Sequence, residues 1–180
     1  MEEPKEPLVL NEHFLYSLGT FYAGWSFVEL LVSWAIGKFL SLPYEETHIL
    51  TGGMEFGKAA NLLRQVVSRS DHKNRGAILA ALGKLQNDSK RNVLAHSFLV
   101  HQADKIVFLE RPRGGKFKLE RHEFGLFEFS DHVSSMLSHS NTFRDAVGIT
   151  DDDLNAFGNA GLNLNAKSKT SRDPPDSNAD

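Results

Sequence analysis

Between Leu10 and about Leu42 the chain is apolar on more than one helical stripe, with Phe14, Leu18, Phe21, Trp25, Val28, Val32, Ile36 and Phe39 keeping helical spacing after a capping Asn11 and before a stop at Pro43. A helix that is hydrophobic nearly all round must be buried. One way to bury it is a bilayer, but Glu29 lies in the middle of the run, Gly19, Gly24 and Gly37 interrupt it, and no second segment offers it company in a membrane. The reading adopted is therefore a core helix of a helical bundle, not a membrane span. Its second face is expected to be covered by another copy of the chain, with Ser17, Gly24, Ser33 and Gly37 allowing close approach.

The remaining segments fit a bundle. Glu55 to about Ser70 and Arg75 to Gln86 keep helical apolar spacing, and Glu128 to about Val147 does so again. Tyr44 to Gly53 reads as a connection with at most a short turn, and Asn87-Asp88-Ser89 reads as a break and recap before a fourth helix. The period then changes. Phe98-Leu99-Val100, Ile106-Val107-Phe108-Leu109 and Phe117-Lys118-Leu119 are β-prone, and Arg111 to Lys116 between the last two is a turn sequence. The predicted fold is mainly α: a bundle of four to five helices over residues 10–149 with a β-hairpin inserted after the fourth helix. Residues 1–9 form a short tail, and residues 150–180, rich in Asp, Asn, Gly and Ser, are expected to be disordered apart from a turn near Leu154.

A chain of 180 residues with 41% hydrophobic content holds one domain with a real core. It has no cysteine, which excludes disulfides, thiol nucleophiles and cysteine-ligated metal. The acidic start Met1-Glu2-Glu3-Pro4 does not resemble a secretory signal, so a cytoplasmic location is expected. The formal charge of −3 hides a segregation: Lys58 to Arg121 carries fourteen Lys or Arg against five acids, a local net of +9. Such a zone suits a phosphate backbone, and RNA is the expected partner. Lys58, Lys90, Arg111, Arg113 and Lys116 are the candidate contacts, the last three on the hairpin tip.

Within that zone lies Arg91-Asn92-Val93-Leu94-Ala95-His96. Asn92 and His96 are four apart, so on a helix they share a face and can hydrogen-bond. Arg91 is five from His96, about 140° around a regular helix at ~100° per residue, so convergence needs its long side chain, a break at the helix start, or a second subunit. The trio favours phosphoryl transfer: a permanently charged fork for phosphate oxygens and an imidazole that exchanges protons near neutral pH. The apolar neighbours Val93 and Leu94 would set His96 half-buried at the core margin. Glu29 has two open readings, an acid paired inside the bundle or a group that orients Arg91 or His96. His132 and His139 share a helical face without a carboxylate placed to complete a metal site, so they read as surface histidines and no metal is expected.

Arg91-Asn92 followed by His96 resembles the Arg-polar-x-x-x-His signature of the HEPN family of helical-bundle domains. The first helix around Phe27-Val28-Glu29-Leu30-Leu31 and the segment Glu55-Phe56-Gly57-Lys58 are similar to one HEPN subgroup, and the resemblance covers roughly Leu10 to Val147. It implies a homodimeric, metal-independent endoribonuclease without cofactors, with paired motifs facing one another, in which Arg91, Asn92 and His96 are catalytic and Glu29 supports them. It also implies a toxin–antitoxin or antiviral defence setting, with an antitoxin as a further partner. Two other readings stay open: an RNA- or nucleotide-binding module that keeps the motif for recognition, and a helical interaction protein in which Arg91 and His96 serve packing.

Overall fold

The computed structural model describes residues 12–102, 105–110 and 119–170. The chain is mainly helical with one small antiparallel sheet. In order it runs α1 (Glu12–Leu40), α2 (Tyr44–Thr51), α3 (Phe56–Ser68), α4 (Arg75–Asn87), α5 (Arg91–His96), β1 (Ser97–Gln102), β2 (Lys105–Glu110), β3 (Glu120–Gly125), α6 (Leu126–Val147) and α7 (Asp151–Thr170). It divides into two compact units, each built from two stretches of sequence: residues up to Phe27 with Gly83–Asn141, and Val28–Leu82 with the residues from Thr142 onward.

The first unit places a three-stranded sheet beside helical segments. Strand order is β1-β2-β3, both pairings antiparallel, with Leu99 opposite Phe108, Phe108 opposite His122 and Ile106 opposite Phe124. That register brings Ile106, Phe108 and Phe124 onto one face, where the two phenylalanines meet Phe129 of α6, itself against Phe14 of α1 at 5.2 Å between ring centroids. Around the expected hairpin the described strands form a three-stranded meander whose third strand is Glu120–Gly125, while Phe117 and Lys118 of the run expected at Phe117–Leu119 lie outside the described residues. Register sets the third strand: Phe124 is its one buried side chain, and the charged residues around it carry no β signal. Gly24 lets α6 approach α1, since a Cβ there would meet Leu137 Cδ2 at 2.6 Å and Met136 Cε at 2.9 Å.

The second unit packs the later part of α1 with α2, α3 and α7. Val28, Leu31, Val32, Ala35 and Ile36 of α1 are buried, as are Ala60, Leu63 and Val67 of α3 and Ile78 and Leu82 of α4. Two helices end in the same way. Ser41 takes a left-handed φ of 55° while its N–H bonds Lys38 O and the Leu42 N–H bonds Gly37 O, and Gly148 at φ 72° with Ile149 N–H on Arg144 O repeats the arrangement at the end of α6. Gly37 lies against Thr47 of α2, so this glycine and Gly24 serve contacts within the chain rather than contacts with a neighbouring copy.

Two expectations fail in this unit. Tyr44 to Gly53 contains the helix α2, and the segment beyond Thr150, expected to be disordered, forms α7. They stabilise one another. Phe157 of α7 is fully buried, its ring stacked on His48 at 3.8 Å and edge-on to Tyr44, while His48 Nε2 donates to Phe157 O at 2.7 Å. Thr150 starts α7 with reciprocal caps: its Oγ1 accepts from Asp153 N–H and its own N–H donates to Asp153 Oδ2. Helix α1 has the length and hydropathy of a membrane span, and half of its most apolar stretch is buried inside the protein.

Candidate active site

The motif owes its geometry to a break between two helices. Helix α4 ends at Asn87, Lys90 adopts a left-handed conformation (φ 48°, ψ 26°), and α5 starts at Arg91. For a residue with a Cβ that conformation costs roughly 1 kcal/mol, so its surroundings must hold it. They do so from several sides. Lys90 Nζ sits 4.9 Å over the Phe124 ring, Ser89 is buried with its carbonyl accepting from His132 Nε2 at 3.0 Å, and Leu94 is buried with its carbonyl accepting from the Tyr22 hydroxyl at 3.1 Å. The break, at residues 88–90, overlaps the Asn87-Asp88-Ser89 break read from the sequence. The recap differs: Lys90 is the capping residue and no side chain from Asn87, Asp88 or Ser89 caps α5.

Starting α5 at Arg91 frees the guanidinium from regular helical projection. Arg91 Nη1 lies 3.4 Å from His96 Nε2 and 3.5 Å from Asn92 Oδ1. Of the three routes to convergence, the long side chain and the helix start suffice within one chain. A guanidinium only donates, so this contact is attractive when Nε2 carries its lone pair and the imidazole proton is on Nδ1. Asn92 turns to Arg91 rather than to His96, contrary to the expected Asn92–His96 bond. Arg91 is half-buried, whereas Asn92 and His96 are exposed, so the expectation of a half-buried imidazole is also corrected. The cause is the shortness of α5: His96 is its last residue, at the passage into β1, and only Leu94 anchors the helix in the core.

Lys90 adjoins the trio, with its side chain on Phe124. Glu29 and Lys58 belong to the second unit, where Glu29 is half-buried and Lys58 is exposed with a loose ion pair to Glu55 at 3.8 Å. Arg111, Arg113 and Lys116 lie outside the described residues. His132 and His139, expected at the surface, are instead both half-buried beside the α4–α5 break: His132 is held by Ser89 O and His139 Nε2 is 3.8 Å from Asp88 Oδ2. Burial pushes the His132 pKa below the usual histidine value, and the nearby Lys90 charge acts in the same sense against the opposing Ser89 hydrogen bond and Asp88. Among the described residues, Glu110, Glu120 and His122 form the one group with metal-ligand spacing. Sequence spacing hides it, because strand register alone brings the three together.

The arrangement can bind a phosphate oxygen at the guanidinium and exchange a proton at the imidazole, with an amide to orient either group. Comparison with protein-family models, curated proteins and solved structures returns no match.

Proposed function

We propose that the chain is a metal-independent endoribonuclease of the HEPN kind, acting as a homodimer. The observation that carries the reading is the convergence of Arg91 Nη1 and His96 Nε2 to 3.4 Å at the start of a strained helical turn, in the pattern that the family signature describes. In the proposed reaction the ribose 2′-hydroxyl attacks the adjacent phosphorus, the 5′-oxygen leaves, and the products carry 2′,3′-cyclic phosphate and 5′-hydroxyl ends. His96 takes the proton of the attacking hydroxyl or supplies one to the leaving oxygen, and Arg91 neutralises charge on the phosphorane. Asn92 holds the guanidinium in place. Lys90, Arg111, Arg113 and Lys116 as an RNA track belong to the same proposal.

Dimerisation is supported by what surrounds the motif. Phe98 and Leu99 follow His96 directly and are 50% and 37% exposed, and Tyr22, whose hydroxyl holds Leu94, is 45% exposed. Phe98 and Leu99 lie on β1, an edge strand of the sheet. An exposed edge with large apolar side chains calls for cover, and a second copy would bring two motifs together. The exposure of His96 favours a second reading, an RNA-binding module that recognises phosphate without cutting. A cytoplasmic toxin or defence role with an antitoxin partner fits the first reading. Incubating purified protein with mixed RNA beside Arg91→Ala and His96→Ala separates the two, since a binding module retains RNA without producing new ends.

A further inference from the structure

Independently of any ribonuclease activity, we propose that Glu110, Glu120 and His122 form a binding site for a divalent transition-metal ion of the zinc class, which clamps the end of β2 to the start of β3. Register makes the site. Glu110 and Glu120 are directly opposite one another across the two strands, so their side chains share a face, and His122 is two residues further along β3 on that same face. One carboxylate oxygen from each glutamate and one imidazole nitrogen lie within 4.8 Å of one another. Two carboxylates facing each other across a ladder repel, which disfavours the pairing unless positive charge is placed between them.

Two further atoms point to an ion. His122 Nε2 is screened from solvent and makes no hydrogen bond among the described residues, although Glu110 Oε2 is 3.5 Å away. Ser97 stands opposite Glu110 on the other side of β2, and its Oγ is likewise screened and without a hydrogen bond among the described residues. Polar atoms kept from water normally have a partner, so two of them beside a carboxylate pair need one. A zinc-class ion at about 2.0–2.2 Å from imidazole and carboxylate donors sets neighbouring donors about 3.3 Å apart in a tetrahedron. The Glu110–His122 edge already has nearly that length. Glu120 is exposed and free to swing its carboxylate onto the third position, leaving a fourth for water or the Ser97 hydroxyl. Mixed imidazole and carboxylate donors favour zinc-class ions over magnesium, which prefers oxygen alone.

The test is titration calorimetry of the untagged, chelator-stripped full chain with Zn2+ and, separately, Mg2+, together with melting curves under each condition. Saturable binding near one Zn2+ per chain, a raised melting temperature and a much weaker response to Mg2+ are the expected results. Glu120→Gln, at an exposed position, and His122→Gln should each weaken binding about tenfold or more, while Glu123→Gln, on the opposite face, should leave it unchanged. Circular dichroism of each metal-free variant should match the parent. Absence of saturable Zn2+ binding, or binding that survives the Glu110→Gln, Glu120→Gln, His122→Gln triple change, overturns the proposal. RNA cleavage reads out separately, because the Arg91 and His96 variants leave the zinc titration intact.

Discussion

Replacing Phe157 with alanine removes the side chain that joins α7 to α2. The ring is 0% exposed, stacked on His48 at 3.8 Å and edge-on to Tyr44 at 5.7 Å. Burying a phenylalanine removes about 150–250 Å2 from water, which at roughly 25 cal/mol per Å2 gives about 4–6 kcal/mol for the whole side chain. Alanine keeps part of that, and measured losses for such truncations run to about 3–5 kcal/mol. The full amount appears only if α7 unfolds together with the rest of its unit; if α7 can leave by itself, the loss is capped at its docking free energy. Urea denaturation followed by far-ultraviolet circular dichroism measures the first quantity, and amide hydrogen exchange over residues 151–170 measures the second. A loss under about 1 kcal/mol with unchanged exchange in α7 would refute the packing argument.

Four other perturbations test the fold. The two Thr150 hydrogen bonds, backbone first, hold the Asp153 carboxyl below its usual range, so the cap's contribution is present above the ordinary carboxylate pKa and is lost as pH falls through the lowered one; exchange in α7 should accelerate there, and Asp153→Asn should remove that pH dependence. His132 gives a slope of the same sign at higher pH: burial lowers its pKa, so stability is highest while it is neutral and falls as pH drops through about 6.5 towards the lowered value, a slope that His132→Gln should flatten in melting curves between pH 7 and 5. In α1, Gly19→Ala should stabilise by about 0.5–1 kcal/mol, because nothing lies within 4 Å of the added methyl. Gly37→Ala should instead destabilise, since its Cβ would sit 2.8 Å from Thr47 Cγ2 and overpacking of about 1–3 kcal/mol exceeds the helix gain.

What the sequence made legible follows from how locally each element is determined. Helices α1, α3, α4 and α6 announce themselves because each carries its own apolar stripe, and their observed ends fall within a few residues of those read from spacing. Helices α2 and α7 do not: the buried residues of α2 are Thr47 and Thr51, α7 has Phe157 as its fully buried anchor, and the two depend on each other across more than a hundred residues. A local signal for α7 did exist in Thr150-Asp151-Asp152-Asp153, a capping box with aspartate where glutamate is usual. At the candidate site, the break before Arg91 could be read from Asn87-Asp88-Ser89, but the turn of Asn92 towards Arg91 could not, because it depends on α5 ending at His96. The Glu110, Glu120 and His122 grouping depends on strand register, which the charged sequence of β3 conceals.

The most direct test of the account is cleavage of a single-stranded RNA by the purified chain in the presence of excess chelator, with end-group analysis of the products, beside Arg91→Ala and His96→Ala. The expected results are cutting that chelator does not inhibit, products with 2′,3′-cyclic phosphate and 5′-hydroxyl ends, no reaction with a 2′-deoxy substitution at the cut, and rates roughly a hundredfold or more lower in each variant. A well-folded His96→Ala protein that cuts RNA as fast as the parent would contradict the proposed mechanism.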